Sequence, residues 1–483
     1  MNYKMMGRFI AQIITIEAMF MLPALAISIG YGEDRAVKAF LMTIAVTLGL
    51  AIVLYAFCRK AGRLFGAREG LICVALSWIV MSLLGALPFV FCGQVPNYVD
   101  ALFEIVSGFT TTGSSVIADV EGLYRGITYW RSFSNWIGGM GVLVFLLAVL
   151  PGGGGSGYTM HLLRAESPGP DVGKLVPKMR HTATILYIIY IALTVINIVL
   201  LLAGGMEWLP ALCTAFATAG TGGFAVYNTS LADLSPYLQN VTTVFMFLFG
   251  VNFSCYYLIL MKQFRGVIKD EELRLYVGLA LAAIVAIVIS IRPMYDSLEE
   301  TIRHAAFQVS SIMTTTGFGT TDTDLWPSFA KGILLMLMIV GASAGSTGGG
   351  LKCIRVLLLF KILGRNIRQI MNPRKVLVVR SNGKPVNEKV LSNLNSYLAA
   401  YVIIILLSTL LLSLDGFDLE TNLSATLATF NNIGPGFGAV GSTCTFSDFS
   451  ALSKLVMIFN MLAGRLEIFP LLVLFFPSTW VKK

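Results

Sequence analysis

Residues 311–322 read S-I-M-T-T-T-G-F-G-T-T-D. A threonine- and glycine-rich run of this kind is out of place in a chain whose surroundings are long and apolar. Three other segments share its build. Asp100–Ser115 reads D-A-L-F-E-I-V-S-G-F-T-T-T-G-S-S, Trp208–Phe224 reads W-L-P-A-L-C-T-A-F-A-T-A-G-T-G-G-F, and from Leu419 the chain reads L-E-T-N-L-S-A-T-L-A-T-F-N-N-I-G-P-G-F-G. Each is a short apolar helix pattern that ends in Thr or Asn and then Gly. Aligned on Gly113, Gly223, Gly317 and Gly434, the copies lie 110, 94 and 117 residues apart. Phe224 and Phe318 match after the glycine; Ser114 and Pro435 do not.

The setting of these segments is a membrane. Of 483 residues, 56% are hydrophobic and 13% charged, and the mean hydropathy is +0.77. That is far too little charge for a soluble chain of this length. About 20 apolar residues span a bilayer as a helix. Runs of that kind recur near 9–30, 37–57, 71–92, 133–150, 183–204, 238–261, 274–291, 331–363, 397–414 and 455–477. The expectation is an all-α polytopic membrane protein with about ten transmembrane helices, since lipid offers no partner to an unpaired backbone group. Ala24-Leu25-Ala26 formally resembles a signal cleavage site, but the run is long for a signal and more spans follow, so a retained first helix is expected.

Charge sets the topology. Arg59, Lys60, Arg63 and Arg68 follow the second span, Arg164, Lys174, Lys178 and Arg180 the fourth, and Lys262, Arg265, Lys269 and Arg274 the sixth. Lys352, Arg355, Lys361, Arg365, Arg368, Arg374, Lys375, Arg380, Lys384 and Lys389 follow the eighth. The positive-inside rule places these segments and both basic termini in the cytoplasm. The net charge of +9 therefore reads as topology, helped by anionic membrane lipid, and not as nucleic-acid binding. The opposite loops carry most of the carboxylates, among them Glu33, Asp100, Glu104, Asp119, Glu121, Asp324, Asp418 and Glu420. Two readings stand: a negative mouth that concentrates cations, or acids left outside because bases are kept in. The seven cysteines form no C-x-x-C pair and read as buried, inert thiols. His161, His181 and His304 are too scattered for a metal site.

Beyond the first helix pair the spans group in twos, and each pair brackets one of the four segments in an outside loop. Start signals are Asp100; Glu207 with Pro210; Asp296 and Glu299; Asp418 and Glu420. The short helices cannot cross the hydrocarbon, so they read as re-entrant. Extended backbone at that depth is tolerated only against protein or a water-filled cavity. Four such strands would line one pore. Glycine reaches positive φ and lets successive carbonyls turn to one side. The candidate ion-binding residues are Thr111, Thr112 and Gly113; Thr221, Gly222 and Gly223; Thr315, Thr316 and Gly317; Asn432, Ile433 and Gly434. Their carbonyls would replace the water shell of a dehydrated alkali cation, with the C-terminal ends of the short helices adding partial negative charge. Glycine and threonine are common in membrane helix contacts, but that does not explain four copies in one loop class.

These residues resemble the four filter sequences of the TrkH/KtrB family of potassium uptake proteins. N-W-I-G-G-M-G-V (135–142), A-E-S-P-G-P (165–170), G-V-N-F-S-C-Y-Y (250–257), G-A-S-A-G-S-T-G-G-G (341–350) and M-L-A-G-R-L-E-I-F (461–469) agree as well. The extra first helix pair and the G-P-G of the fourth filter look more like TrkH than KtrB. The resemblance implies four membrane-pore-membrane repeats in pseudo-fourfold array, with boundaries at 1–65 for the N-terminal helix pair and 66–165, 166–265, 266–375 and 376–483 for the repeats. It implies a multi-pass protein of the cytoplasmic (inner) membrane, K+ as the transported ion with no covalent cofactor, and a homodimer. It also implies control by a cytosolic ring of nucleotide-binding RCK domains, TrkA-like. The loops depart from the potassium-channel pattern T-V-G-Y-G, so weaker discrimination of potassium over sodium is expected.

Two features read as a gate. Gly341, Gly345, Gly348, Gly349 and Gly350 interrupt the eighth span, and each glycine costs helix up to about 1 kcal/mol relative to alanine. In the family this stretch is a movable loop beneath the filter; close helix packing is the plainer alternative. Arg465 lies in the last apolar run, where a lone arginine costs about 2.5–3.5 kcal/mol. It is expected to project under the filter and touch the glycine-rich loop, with Glu467 a poor partner on helical spacing. A rocking symporter would need inverted repeats and ionisable groups at midplane; these repeats run parallel and mid-span acids are scarce. No H-E-x-x-H or Walker loop suggests an enzyme.

Overall fold

The structure is a computed structural model that describes residues 3–59, 67–139, 141 and 179–480. The end of the fourth apolar run, the A-E-S-P-G-P motif, His161, Lys60, Arg63, Arg164, Lys174 and Lys178 lie outside the described residues. Helix α1 (Tyr3–Phe20) leads into α2 (Leu22–Gly30). Pro23 occupies the first turn of α2, where a missing N–H costs little. Helix α3 (Asp34–Phe57) returns across the membrane. Its Ile52, Val53 and Phe57 are exposed, as a lipid-facing helix requires.

Four groups follow. The first holds α4 (Ala67–Gly85), α5 (Leu87–Phe91), α6 (Tyr98–Phe109) and α7 (Arg125–Gly139). The second holds α8 (Met179–Ala203), α9 (Trp208–Gly220), α10 (Pro236–Phe249) and α11 (Phe253–Leu260), with α12 (Phe264–Ile268) as a connector. The third holds α13 (Glu271–Ile291), α14 (Leu298–Met313), α15 (Ser328–Val340) and α16 (Cys353–Met371). A two-residue hairpin, β1 (Arg380–Ser381) with β2 (Lys384–Pro385), turns at Asn382-Gly383, both at positive φ. The last group holds α17 (Glu388–Leu412), α18 (Leu419–Phe430), α19 (Ala451–Arg465) and α20 (Phe469–Phe475).

Among the described residues, six helical stretches are long and apolar enough to cross a membrane, and α10 with α11 makes a seventh, bent by 88°. That bend corrects the reading of 238–261 as one straight span. Hydropathy cannot see it, because Gly250, Val251 and Asn252 are too few to dent an apolar window. The eighth run breaks at Val340 and resumes at Cys353. The tenth also breaks, at Leu466–Ile468, with non-glycine positive φ at Glu467 and Ile468.

The four short helices α6, α9, α14 and α18 have 12, 13, 16 and 12 residues. Asp418 caps α18 as expected, accepting from Thr421 N. Two other starts differ. Asn97 caps α6 and Ser297 caps α14, while Asp100, Glu299 and Glu300 sit in the first turns and complement the helix dipole. Glu207 precedes α9 without a side-chain cap.

Candidate functional site

Each short helix ends in the same way. The residue in the left-handed region is Thr111 (φ 57°), Thr221 (54°), Thr315 (60°) or Asn432 (55°). The next N–H reaches back five residues: Thr112 to Ser107 O, Gly222 to Ala217 O, Thr316 to Ser311 O and Ile433 to Ala428 O, each 2.8 Å. This is a Schellman closure, which usually has glycine at the left-handed position. Here glycine comes two residues later, at Gly113, Gly223, Gly317 and Gly434 (φ 84°, 61°, 86° and 107°). The left-handed threonines were not foreseen, because that conformation costs a non-glycine residue about 1–2 kcal/mol and sequence patterns assign it to glycine.

The glycines explain themselves by contact. A Cβ on Gly113 would lie 2.2 Å from Gly222 O; on Gly223, 1.8 Å from Thr316 O; on Gly317, 2.1 Å from Ile433 O; on Gly434, 2.8 Å from Thr112 O. Each segment thus abuts the next in the order one, two, three, four and back to one. Four peptide units close a ring in which no side chain fits at the glycine. The twelve residues named from sequence therefore meet in one place; the seven that carry side chains are buried, and Gly113 and Gly317 are half-buried.

Hydrogen bonds tie the segments to one another. Asn432 Nδ2 donates to Thr112 Oγ1 (2.9 Å) and Ser114 Oγ to Gly434 O (2.9 Å), joining the fourth to the first. Arg131 on α7 forms a buried ion pair with Glu104 on α6 and donates to Ala225 O (2.8 Å), joining the first to the second. Its guanidinium lies 3.8 Å from the centroid of Phe224. The Glu104 carboxylate also accepts from Ser115 Oγ and Val116 N, both 3.0 Å. Glu104 is thus a structural anchor, not one of the open carboxylates expected at the mouth. The mouth acids that are more open also accept backbone hydrogen bonds: Asp324 from Gly438 N, Glu121 from Asn228 N and Asp119 from Gly122 N. The Asn228 amide and the Gly122 N–H hold Asp119 below the usual carboxylate range, and partial burial raises Asp324. Cys444 is exposed, unlike the other six thiols, because it lies in the loop before α19.

Beneath the ring lies the segment that separates α15 from α16. A Cβ on Gly348 would meet Thr314 O at 2.7 Å, and one on Gly349 would meet Asn431 O at 2.2 Å. Gly350 N donates to Asn431 O (3.0 Å) and Gly349 N to Thr315 Oγ1 (2.6 Å). Gly341, Gly345 and Gly350 have φ of 71°, 69° and 77°. The break in the sixth span receives this loop: Ser343 N donates to Gly250 O (3.1 Å), Phe253 N to Gly345 O (3.0 Å) and Thr347 Oγ1 to Phe249 O (3.3 Å). Gly341 to Gly345 formally spells G-x-S-x-G, but it follows a helix and not a strand, so it forms no nucleophile elbow.

Arg465 reaches from the end of α19 to the carbonyls of Thr347 (3.0 Å), Gly139 (2.8 Å) and Gly138. It contacts the glycine-rich loop, and at the same time the end of α7. Glu467 pairs with Arg355 instead. Lys352, counted with the cytoplasmic bases from sequence, is buried and donates to Gly348 O. Lys352 and Arg355 therefore belong to this layer and not to the cytoplasmic loop.

These features define a polytopic α-helical membrane protein whose four re-entrant segments converge on one ring. The chain belongs to the TrkH family: the family model, described as a cation transport protein, matches residues 36–482. It is 35% identical over 487 residues to the Trk system potassium uptake protein TrkH of Escherichia coli (strain K12), covering 99% of this chain and 100% of that one. It is 34% identical to TrkG of the same strain, covering 97% and 96%. The crystal structure of the potassium transporter TrkH from Vibrio parahaemolyticus superposes with a TM-score of 0.89 at 30% identity, covering 100% of both chains. The family is one of transporters, not enzymes.

Proposed function

We propose that this chain mediates potassium uptake across the cytoplasmic membrane through one central pore. The carbonyls of the segments around Gly113, Gly223, Gly317 and Gly434 form the selectivity filter. The observation that carries this is the closed cycle of glycine-to-carbonyl contacts beneath four short helices, a geometry suited to stripping water from an alkali cation. Loop 341–350 and Arg465 lie directly under the ring and obstruct the exit, so they serve as the gate. A guanidinium at that level also repels cations. The same reading includes a homodimer with both termini in the cytoplasm and a cytosolic RCK ring. Family membership supports these, as do the basic residues Arg365 and Arg368 in the last turns of α16 and Arg374 and Lys375 just after it.

The test is the reversal potential of purified protein in planar bilayers under potassium and sodium gradients. A reversal that tracks the potassium gradient is expected. One that ignores both cations overturns the proposal. Rubidium flux into vesicles with no imposed proton or sodium gradient separates a conduit from a coupled carrier.

A further inference from the structure

Glu272 is the second residue of α13 and is 5% exposed. Its Oε1 accepts from Ala344 N (2.6 Å) and from Ile354 N (3.1 Å). Those two donors bracket Gly345 to Gly350 of the glycine-rich interruption. Ala344 is in the entering arm, and Ile354 is in the first turn of α16, where the chain leaves. One oxygen atom therefore pins both ends of the loop. It does so opposite the bend of the sixth span, whose Gly250 O and Phe253 N hold the entering arm from the other side.

Other hydrogen bonds hold this segment as well, to Gly250, Phe253, Thr315, Asn431, Lys352 and Arg465, but among the described residues Glu272 supplies the one carboxylate that accepts from it. The segment has no helical ladder of its own, and its many glycines carry no side chains to pack. Its position thus depends on these hydrogen bonds, and those to a carboxylate are the stronger kind. Resting on the reading of this loop as the gate, we propose that Glu272 is the positioning residue that clamps the loop beneath the filter. Opening then requires both N–H groups to leave Oε1.

The geometry makes a specific claim about substitutions. Because both bonds fall on a single oxygen, Glu272→Gln keeps an acceptor in place through its amide carbonyl. Glu272→Asp withdraws the acceptor by one methylene, and Glu272→Ala removes it. The Cys353 thiol is buried and donates to Gly341 O of the loop (3.5 Å), giving a second readout independent of ion flux.

The experiment compares E272A, E272D, E272Q and R465A with the unaltered full-length chain in vesicles. It measures rubidium flux and peptide-resolved alkylation of Cys353, with Cys213 as the buried reference thiol. E272A and E272D should raise flux by at least about tenfold, the scale of losing even one of the two hydrogen bonds to a charged group, and should raise Cys353 alkylation while Cys213 stays protected. E272Q, which keeps a neutral acceptor in place, should fall between the unaltered chain and E272A in both readouts. Unchanged or reduced flux together with unchanged Cys353 reactivity in E272A overturns the clamp, as does an E272Q that matches E272A. If R465A raises flux while E272A changes neither readout, the clamp fails and the gate reading stands. If Cys353 becomes reactive in E272A but neither variant changes flux, the clamp stands and the gate reading fails.

Discussion

Replacing Gly223 with alanine tests the ring directly. Two costs arise, and they can be compared. The backbone cost is modest, because φ 61° lies in the left-handed well, which an alanine enters for about 1–2 kcal/mol. The steric cost is larger. The new Cβ would stand 1.8 Å from Thr316 O, while real Cβ contacts stay beyond 3.0 Å, so the carbonyl must retreat by about 1.2 Å. It is a backbone atom buried against Gly317 and cannot rotate away like a side chain. Gly434→Ala reverses the balance: its nearest oxygen is 2.8 Å away, but φ 107° lies outside the left-handed well. Sterics therefore dominate at 223 and backbone strain at 434.

The expected outcome for G223A is assembled protein with greatly reduced potassium flux and a reversal potential shifted toward the sodium potential. One carbonyl position would no longer match the other three. Gly278→Ala on α13 is the control, since nothing lies within 4 Å of its Cβ position. The assay is bilayer reversal potential with rubidium flux, on protein that runs as a single species in detergent. A G223A variant with unaltered flux and selectivity would refute the placement of this ring on the ion path.

Other changes give distinct signatures. Arg465→Ala removes the guanidinium bonded to Thr347 O and Gly139 O and should raise rubidium flux several-fold; unchanged flux at normal expression counts against a barrier. Glu104→Gln leaves Arg131 buried without its counter-charge, which costs about 3–5 kcal/mol; the melting temperature in detergent should fall sharply, and an unchanged value would mean the pair is dispensable. Thr111 Oγ1 has no hydrogen-bond partner among the described residues, so Thr111→Gly should stay within about 1 kcal/mol of the parent, relief of left-handed strain offsetting the entropy of glycine. Thr315→Gly strands the buried Gly349 N–H and should destabilise by about 1–3 kcal/mol, so equal melting temperatures for the two variants would contradict the strain argument.

The sequence makes some levels of this structure plain and hides others. The four short helices and their glycines were legible because a break in an apolar run is costly in lipid, so each must have a polar destination. The interruption at 341–350 was legible for the same reason. The bend at Gly250 was not, since a hydropathy window averages over it, although the motif G-V-N-F marked the place. Glu272 was hidden because an acid at a helix start reads as a dipole partner. The Glu104–Arg131 pair was hidden because hydropathy cannot say which charge turns inward and toward what. The left-handed threonines ran against the propensity that sequence reading relies on.

The ring is fourfold in backbone but not in side chains, and its seams show how both can hold. Between the first and second segments the tie is a hydrogen bond from a charged side chain, Arg131 to Ala225 O. The second and third are joined by backbone, Leu231 N to Gly319 O at 3.0 Å. The third and fourth are joined by Asp324 accepting from Gly438 N. The fourth and first are joined by Asn432 to Thr112 Oγ1 and by Phe446 N to Ser115 O. Each seam meets the same geometric demand with different chemistry, so no substitution of a seam contact has an equivalent in all four repeats. A channel of four identical subunits repeats one tie four times. A single chain can instead adjust each corner separately, and it loses the uniform field that identical corners give. The divergence of T-T-T-G, T-G-G, T-T-T-G and N-N-I-G is then the consequence of fixing the carbonyls from outside the ring, with the glycines alone bound by the space inside it.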